Sequence, residues 1–243
     1  MLQHAGPSDH RQGQFPLAGA APRPCRFHRD QALFPEGALT GELRLAGLFS
    51  AAAYNQSSKD IPFLRHKAEQ VFQRLGYGPN SYSGRVLTNV LETFPRDELF
   101  QISNAQLTEI AEALVRLELM PRTRVFIRRD EFGRFASILV YVMRERFTTE
   151  VRQKIIALLE NALDAKMSEF TPVFTIGPLV RLHVVVWKEE GAVPDVSADD
   201  LETQVEAIVR TWGDGLRDMI RAHYGRGAGS LLEHYGQAFP PRL

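Results

Sequence analysis

The stretch Ala136-Ser137-Ile138-Leu139-Val140-Tyr141-Val142-Met143 decides the fold of this sequence. It is uncharged, and its length is that of a strand rather than of a membrane span. Val125 to Ile127 precedes it across a charged turn that contains Gly133. The spacing of the two apolar runs therefore predicts a β-hairpin.

Two more strands are predicted downstream of this hairpin, at Phe170 to Ile176 and at Leu179 to Trp187, separated by Gly177 and Pro178. Between the two pairs of strands, Thr148 is the expected N-cap of a helix. The predicted apolar face of that helix consists of Val151, Ile155, Leu158, Leu159 and Ala162.

A second helix is predicted after these strands. Ser197 with Asp200 resembles a capping box, and helical spacing of apolar residues continues to Tyr224. Trp212 falls on the inward stripe and is expected to be a buried anchor, while Gly213 beside it predicts a bend or a close helix contact. The order strand, strand, helix, strand, strand, helix predicts an α+β sandwich: a four-stranded sheet with two helices on one face.

A helical region precedes the sandwich. Its first helix is stopped at Gly76, a second short helix fits Arg85 to Thr93, and Ser103 with Gln106 forms a capping box for a third helix that ends before Pro121. The apolar stripe of the first helix consists of Phe63, Leu64, Ala68, Val71, Phe72 and Leu75.

The N-terminal residues lack both the helical and the strand period. Met1 to about Thr40 is rich in Gly, Pro, Ala, His and Gln and is predicted to be disordered or irregular. Order is expected to begin at Leu43, with a strand that leads into Ala51 to Tyr54. The predicted organisation is an irregular segment over 1–42, a helical linker that includes the end of a preceding module over 43–120, an α+β domain over 121–224 and a connecting helical segment over 225–243.

Composition limits the function classes. The 29 basic and 29 acidic residues balance, so the chain lacks the positive field of a nucleic-acid-binding protein. Arg128 and Arg129 could contact phosphate, although a solvated edge is the expected explanation for such a pair. Neither a signal peptide nor a membrane span is predicted. The single cysteine, Cys25, favours a reducing compartment, and the cytoplasm is expected.

The glycines Gly225, Gly227 and Gly229 superficially resemble a dinucleotide-binding fingerprint. That fingerprint requires a preceding strand, so that the pyrophosphate meets a helix N-terminus. Here a helix is predicted to precede the glycines, and the dipole at its C-terminus repels phosphate. A helix stop is the preferred interpretation.

Other residues with chemical potential are not arranged as a site. His183, His223 and His234 lie on different predicted elements, and His183 is expected to be a satisfied histidine on a strand face rather than a ligand. Asp97 and Glu98 are explained as helix-start charges. We therefore predict no catalytic, cofactor-binding or metal-binding residues in this chain.

Several strings nevertheless follow a known pattern in order and at family-like spacing, from about Leu43 to Pro240. They are Leu48-Phe49-Ser50-Ala51-Ala52-Ala53-Tyr54, Ile61-Pro62-Phe63-Leu64-Arg65-His66-Lys67, Leu91-Glu92-Thr93-Phe94-Pro95-Arg96-Asp97-Glu98-Leu99-Phe100-Gln101, Phe126-Ile127-Arg128-Arg129-Asp130, Leu139-Val140-Tyr141-Val142 and Trp212-Gly213-Asp214. The chain resembles the N-terminal half of the large bacterial NAD-dependent glutamate dehydrogenases. It departs from the pattern at Ser81-Tyr82-Ser83-Gly84-Arg85, Met120-Pro121 and Val142-Met143-Arg144-Glu145.

The resemblance implies an ACT-like, ferredoxin-like fold for the sandwich and a parent enzyme that oxidatively deaminates L-glutamate to 2-oxoglutarate with NAD. It implies that hydride transfer and NAD binding belong to a later domain, so this chain would lack a cofactor of its own. Expected partners are a second copy of the chain or the remainder of the parent enzyme, in a homo-oligomer, with an amino acid as a candidate effector.

Three hypotheses remain open. The first is a non-catalytic regulatory or assembly segment of a glutamate dehydrogenase, which the resemblance favours. The second is a free-standing ACT-like sensor of small molecules such as amino acids. The third is an enzyme of unknown type, which turnover assays with glutamate and NAD would distinguish from the first two.

Overall fold

The structure is a computed structural model that describes residues 9–15, 23–33, 39–47, 51–130, 133, 135–174, 177–188 and 191–224. For residues 9–47, Ser168 and Trp212 it describes the backbone alone. No helix in these ranges combines the length and the apolar character needed to cross a membrane.

The first three strands form an antiparallel sheet in the order β1-β2-β3: β1 (Asp9–Phe15), β2 (Arg23–Leu33) and β3 (Leu39–Gly47). The prediction of irregular structure before residue 43 is wrong for these strands. Main-chain N–H and C=O groups can pair between strands whatever their side chains are, so a missing apolar period does not exclude a sheet. The strand predicted to begin at Leu43 is present as the second half of β3, but its predicted exit at Ala51 to Tyr54 is instead the alanine-rich helix α1 (Ala51–Asn55).

Four further helices make up the helical segment: α2 (Pro62–Leu75), α3 (Tyr82–Thr93), α4 (Arg96–Gln101) and α5 (Asn104–Leu119). The predicted boundaries have local causes. Gly76 ends α2 with a φ of 66°, which glycine adopts without strain. The Ser103 hydroxyl accepts a hydrogen bond from the Gln106 backbone N–H at 3.2 Å and begins α5.

The second sheet has four antiparallel strands in the order β4-β5-β7-β6. They are β4 (Arg124–Arg129), β5 (Phe135–Met143), β6 (Lys166–Phe174) and β7 (Leu179–Trp187). A 3-10 turn (Arg144–Arg146) and α6 (Thr149–Leu163) connect β5 to β6, and α7 (Ala198–Val209) and α8 (Trp212–Tyr224) follow β7. The predicted α+β, ACT-like architecture with an antiparallel four-stranded sheet and preceding helices is confirmed.

The two faces of this sheet differ in chemistry. The apolar face packs against α6 and α7, and its buried residues include Ile138, Val140, Leu182, Val184, Ile155, Leu159, Leu201 and Val205. The opposite face, here called the polar face, packs against the helical segment, whose core it joins through Leu139, Tyr141 and Leu179. Sequence periodicity predicted helices on one face only, and the helical segment covers the other.

Strand β7 lies inside the sheet, between β5 and β6. The apolar run Leu182 to Trp187 is therefore paired on both sides. The edges are β4 and β6. On β4, the Val125 N–H donates to Glu202 Oε2 of α7 at 3.1 Å, so a side chain satisfies that edge group. On β6, a bulge between Met167 and Glu169 interrupts the register.

The predicted long C-terminal helix is divided into α7 and α8. Arg210 has extended backbone angles, φ −65° and ψ 127°, and ends α7. Thr211 then caps α8, since its hydroxyl accepts a hydrogen bond from the Asp214 N–H at 3.2 Å. The break comes before Gly213 rather than at it. The expected burial of the Trp212 side chain lies outside the described residues.

Truncation of Leu159 tests the apolar face. Leu159 is fully buried in α6, so Leu159→Ala should lower the free energy of unfolding by about 2 to 5 kcal/mol through lost transfer energy and a cavity. Met219 is the control, because it is 68% exposed on α8 and Met219→Ala should change stability by less than about 0.5 kcal/mol. Urea unfolding of the 243-residue chain measures both; equal losses would contradict this packing.

Candidate functional site

A buried ion pair joins the helical segment to the sheet. Arg128 of β4 donates from Nε to Glu98 Oε2 at 2.6 Å and from Nη2 to Glu98 Oε1 at 2.8 Å, a bidentate geometry. Only 11% of the Arg128 side chain and 6% of the Glu98 side chain are exposed. Burial acts to raise the pKa of Glu98, but the charge and hydrogen bonds of Arg128 outweigh burial and lower it. The carboxylate is thus held ionised between helix α4 and the sheet.

A third polar contact extends from the same guanidinium, because Arg128 Nη2 also donates to Gln101 Oε1 at 3.1 Å. Gln101 is the last residue of α4. Arg128 therefore holds α4 by side chains near both ends of this short helix.

His183 lies on the polar face at the centre of the sheet. Its Nε2 is 2.8 Å from the Ser137 hydroxyl of the neighbouring strand. Burial, assisted by the charges of Arg181 and Arg128, lowers the pKa of His183, although the charge of Glu98 acts in the opposite direction. This side chain thus has a protein partner, as predicted for a histidine on a strand face.

Arg181 connects β7 to α3. Its Nη1 donates to the carbonyl of Thr93, the last residue of α3, at 2.6 Å. A cation at this position complements the negative end of the helix dipole. Beside it, burial raises the pKa of Tyr141 on β5. Arg181 is 6% exposed, so its charge lies inside the interface.

Lys67 performs a similar role within the helical segment. Its ammonium donates to three carbonyls at the end of α4, those of Leu99 at 3.0 Å, Phe100 at 3.4 Å and Ile102 at 2.6 Å. Burial, together with the charge of Arg128, lowers the pKa of Lys67 to about 8. Helix α4 is therefore held by Lys67 through the carbonyls at its C-terminal end and by Arg128 through the side chains of Glu98 and Gln101.

Two cavities lie between the helical segment and the sheet. The first, of about 140 Å³, is mostly apolar and lies under α3 and α5; Leu114, Leu117, Tyr141, Phe174 and Leu179 contribute to its wall. The second, of about 190 Å³, is here called the polar cleft. Residues of α4 line one side of it, and residues of β6 and β7 line the other. Arg181 and Val173 contribute to both cavities.

The structure changes the interpretation of the paired arginines. Neither forms a solvated edge: Arg128 pairs with Glu98, and Arg129 donates to Asp195 Oδ1 at 2.6 Å and to the Val196 carbonyl at 2.8 Å. Because these partners are distant in sequence, local charge patterning could not reveal them. Glu98 and Asp97 do lie in the first turn of α4, where they were predicted.

The remaining sequence candidates are not brought together. His223 lies at the end of α8, next to Tyr224. Gly225, Gly227, Gly229 and His234 lie outside the described residues. Among the residues whose positions are described, no cluster of His, Cys, Asp or Glu could hold a metal ion.

Arg181 and Ser137 were not recognised from the sequence as polar-face residues. The strand period was a usable signal, since Arg181 and His183 are two residues apart and therefore share a face of β7. The helix ends opposite them could not be placed without the tertiary fold.

Two family models match the chain. Residues 61–119, which include α2 to α5, match helical motif 1 of glutamate dehydrogenase. Residues 124–213, from β4 to the start of α8, match the ACT2 domain of glutamate dehydrogenase.

Curated relatives support the same assignment. An NAD-specific glutamate dehydrogenase of Pseudomonas aeruginosa is 34% identical over 229 residues, covering 90% of this chain and 14% of the relative. The enzyme of the same name from Halomonas elongata is 34% identical over 207 residues, covering 84% of this chain and 13% of the relative. The Mycobacterium tuberculosis enzyme is 30% identical over 210 residues, covering 82% and 13%. The chain thus spans about one seventh of the length of these relatives.

The buried ion pair gives a direct stability test. Glu98→Gln leaves the Arg128 guanidinium buried without a counter-charge and should lower the free energy of unfolding by about 3 to 5 kcal/mol. The double variant Glu98→Leu with Arg128→Met should recover most of that loss, because no unpaired charge remains.

The exposed pair Arg116 and Glu112, with side chains 75% and 39% exposed, provides the matched control. Glu112→Gln should change the free energy of unfolding by less than about 1 kcal/mol. Chemical unfolding of the four proteins measures these effects. An equal, small loss at Glu98 and Glu112 would show that the Glu98 pair is not buried in solution.

Proposed function

Because this chain belongs to the NAD-specific glutamate dehydrogenase family through its helical motif 1 and ACT2 domain, we propose that it is a non-catalytic regulatory or assembly segment of such an enzyme. The parent reaction is then the oxidative deamination of L-glutamate to 2-oxoglutarate with NAD. We place NAD binding and hydride transfer in another part of the parent, and the parent in the cytoplasm.

The Glu98–Arg128 pair is the observation that carries this proposal. It ties helix α4 to strand β4 at 2.6 Å in a buried position, so the helices and the sheet cannot shift independently without separating two buried charges. Interfaces of this kind have discrete arrangements rather than continuous ones. A segment that must transmit a change between parts of a large enzyme needs such a contact.

A free-standing ACT-like sensor is the second candidate. The two cavities between the helical segment and the sheet favour it, because a sensor needs a concave site with a few polar groups. Both candidates use the interface between the helical segment and the sheet. In the first, a change at this interface acts on other parts of a longer chain, whereas a free-standing sensor has no such longer chain.

We also propose that the segment associates with a second copy of itself. Three large apolar side chains support a contact surface: Leu119, the last residue of α5, is 62% exposed, Met120 after it is 76% exposed, and Phe174 at the end of β6 is 61% exposed. Leu117 and Glu118 line the same cavity as Phe174, which places the ends of α5 and β6 close together. A two-fold contact is the commonest way for identical surfaces to pair.

The non-catalytic part of the proposal predicts no NADH formation when the chain is incubated with L-glutamate and NAD. NADH absorbance measures this, with the heat-denatured chain as the negative control and the Pseudomonas aeruginosa enzyme as the positive control. Turnover above the denatured chain would overturn it and favour the hypothesis of an enzyme.

The assembly part predicts a dimer mass by light scattering that falls toward the monomer on dilution. Met120→Ser with Phe174→Ser should shift that transition to higher concentration, because both side chains would lose an apolar contact. Tyr82→Ser is the control, since Tyr82 is 55% exposed and lies at the start of α3. A monomer mass at every concentration would end the association proposal without affecting the family assignment.

A further inference from the structure

The first of the two cavities, here called the apolar cavity, opens to solvent beside the exposed apolar side chains at the ends of α5 and β6. Its floor includes the buried residues Leu114 and Leu117. Asn89 and Phe174 line the cavity and are themselves exposed, so the floor can be reached from outside the molecule. Met120 does not line the cavity and is 76% exposed. Its side chain therefore leaves the cavity of its own copy unfilled.

The size and chemistry of the apolar cavity suit a methionine side chain. Its volume of about 140 Å³ is close to that of an engineered apolar cavity, ~150 Å³, which binds benzene. A methionine side chain has fewer non-hydrogen atoms than benzene. It is also flexible and polarizable, so it fills irregular apolar space and makes favourable contacts with aromatic rings. Tyr141 and Phe174 supply such rings in the wall of the cavity.

The rim of the apolar cavity carries opposite charges on its two sides. On the helix side, Glu118 in the last turn of α5 lines the cavity and is exposed. On the sheet side, the exposed Arg144 lies with its guanidinium carbon 5.7 Å from the centre of the Phe174 ring. The acid next to it in sequence, Glu145, is 3.9 Å from Arg146. A two-fold axis through this patch exchanges its two sides, so Glu118 of each copy meets Arg144 of the other.

The same rotation brings the end of α5 of one copy over the end of β6 and the cavity of the other. Met120 directly follows α5, so it crosses to the other copy together with Glu118. Burial of this side chain in the apolar cavity removes apolar surface of both copies from water, which drives association.

We propose that two copies of the chain pair through this patch, with Met120 of each copy inserted in the apolar cavity of the other and Glu118 of each facing Arg144 of the other. The inference rests on the association part of the proposed function. It deepens that proposal by naming the side chain that the cavity receives. The cavity is then completed only by the second copy.

Analytical ultracentrifugation of the full chain tests the insertion of Met120. Met120→Asp should raise the dissociation constant of the dimer about tenfold or more, because a carboxylate is costly to bury in an apolar cavity. Met120→Leu, which nearly conserves volume and remains apolar, should change the constant only a few-fold. Met219→Asp is the matched control, since Met219 is 68% exposed on α8, and its dissociation constant should be unchanged.

The facing charges are tested by mixing two variants. Glu118→Arg alone and Arg144→Glu alone should each raise the dissociation constant about tenfold or more, because like charges then face each other at both symmetric contacts. An equimolar mixture of the two should dimerise about as tightly as the unaltered chain, since both contacts between unlike variants again join opposite charges. Glu206→Arg controls for the change in net charge, because Glu206 is exposed on α7, and it should leave dimerisation unchanged.

Circular dichroism establishes that each variant is folded, and if Arg144→Glu does not fold, the Met120 variants carry the test. The inference is overturned, while the association proposal stands, if the chain dimerises but Met120→Asp has no effect or the mixed variants stay monomeric. A monomer at every concentration overturns both and leaves the remainder of the parent enzyme as the occupant of the patch. Neither result affects the NADH measurement, which tests the non-catalytic role separately.

Discussion

The structure of this chain depends on a charge that is buried and therefore has to be neutralised. Glu98 lies in the first turn of a six-residue helix, and Arg128 meets it from a strand 30 residues away in sequence. A buried ion pair contributes little net stability, because desolvation of two charges offsets most of their attraction. Separating the pair is costly, however. The Glu98–Arg128 pair therefore fixes the position of α4 on the sheet and adds little to the free energy of unfolding.

The two faces of the sheet contribute differently to the structure. The apolar face, packed against α6 and α7, supplies close contact between side chains such as Val184 and Leu159, which are fully buried. Burial of this kind is the main source of stability. On the polar face, Arg128 bonds to Glu98 of a helix, and Ser137 and His183 of neighbouring strands bond to each other; such hydrogen bonds require specific distances. Both cavities described above lie on this side of the sheet.

Much of the fold could be predicted because its signals are local. The hairpin β4–β5, strand β7 and the capped starts of α5, α6 and α7 follow from spacing and from Ser103, Thr148 and Ser197. The position of β7 inside the sheet could not, since strand order depends on pairing between distant segments. Strands β1 and β2 and the first half of β3 were missed for a related reason: their backbone pairing is not accompanied by an apolar period.

Less of the candidate site than of the fold could be predicted from the sequence. The sequence indicated that His183 would have a partner, but it could not name Ser137, which lies 46 residues away. For Arg181, the sequence showed only that it shares a strand face with His183. Its role is to bond the end of α3, and the position of that helix end could not be predicted. Residues whose role is to meet a helix end become recognisable only once the helix has been placed.

These observations are why we place the proposed regulatory contact at the interface between the helices and the sheet. A close-packed apolar contact resists displacement in every direction and gives a ligand little to act on. The polar face instead combines a charge pair that defines one arrangement with an adjacent cleft of about 190 Å³. Whatever contacts the helices and the sheet together favours that arrangement only by its differential affinity for it, because this is the only means by which binding shifts a conformational equilibrium.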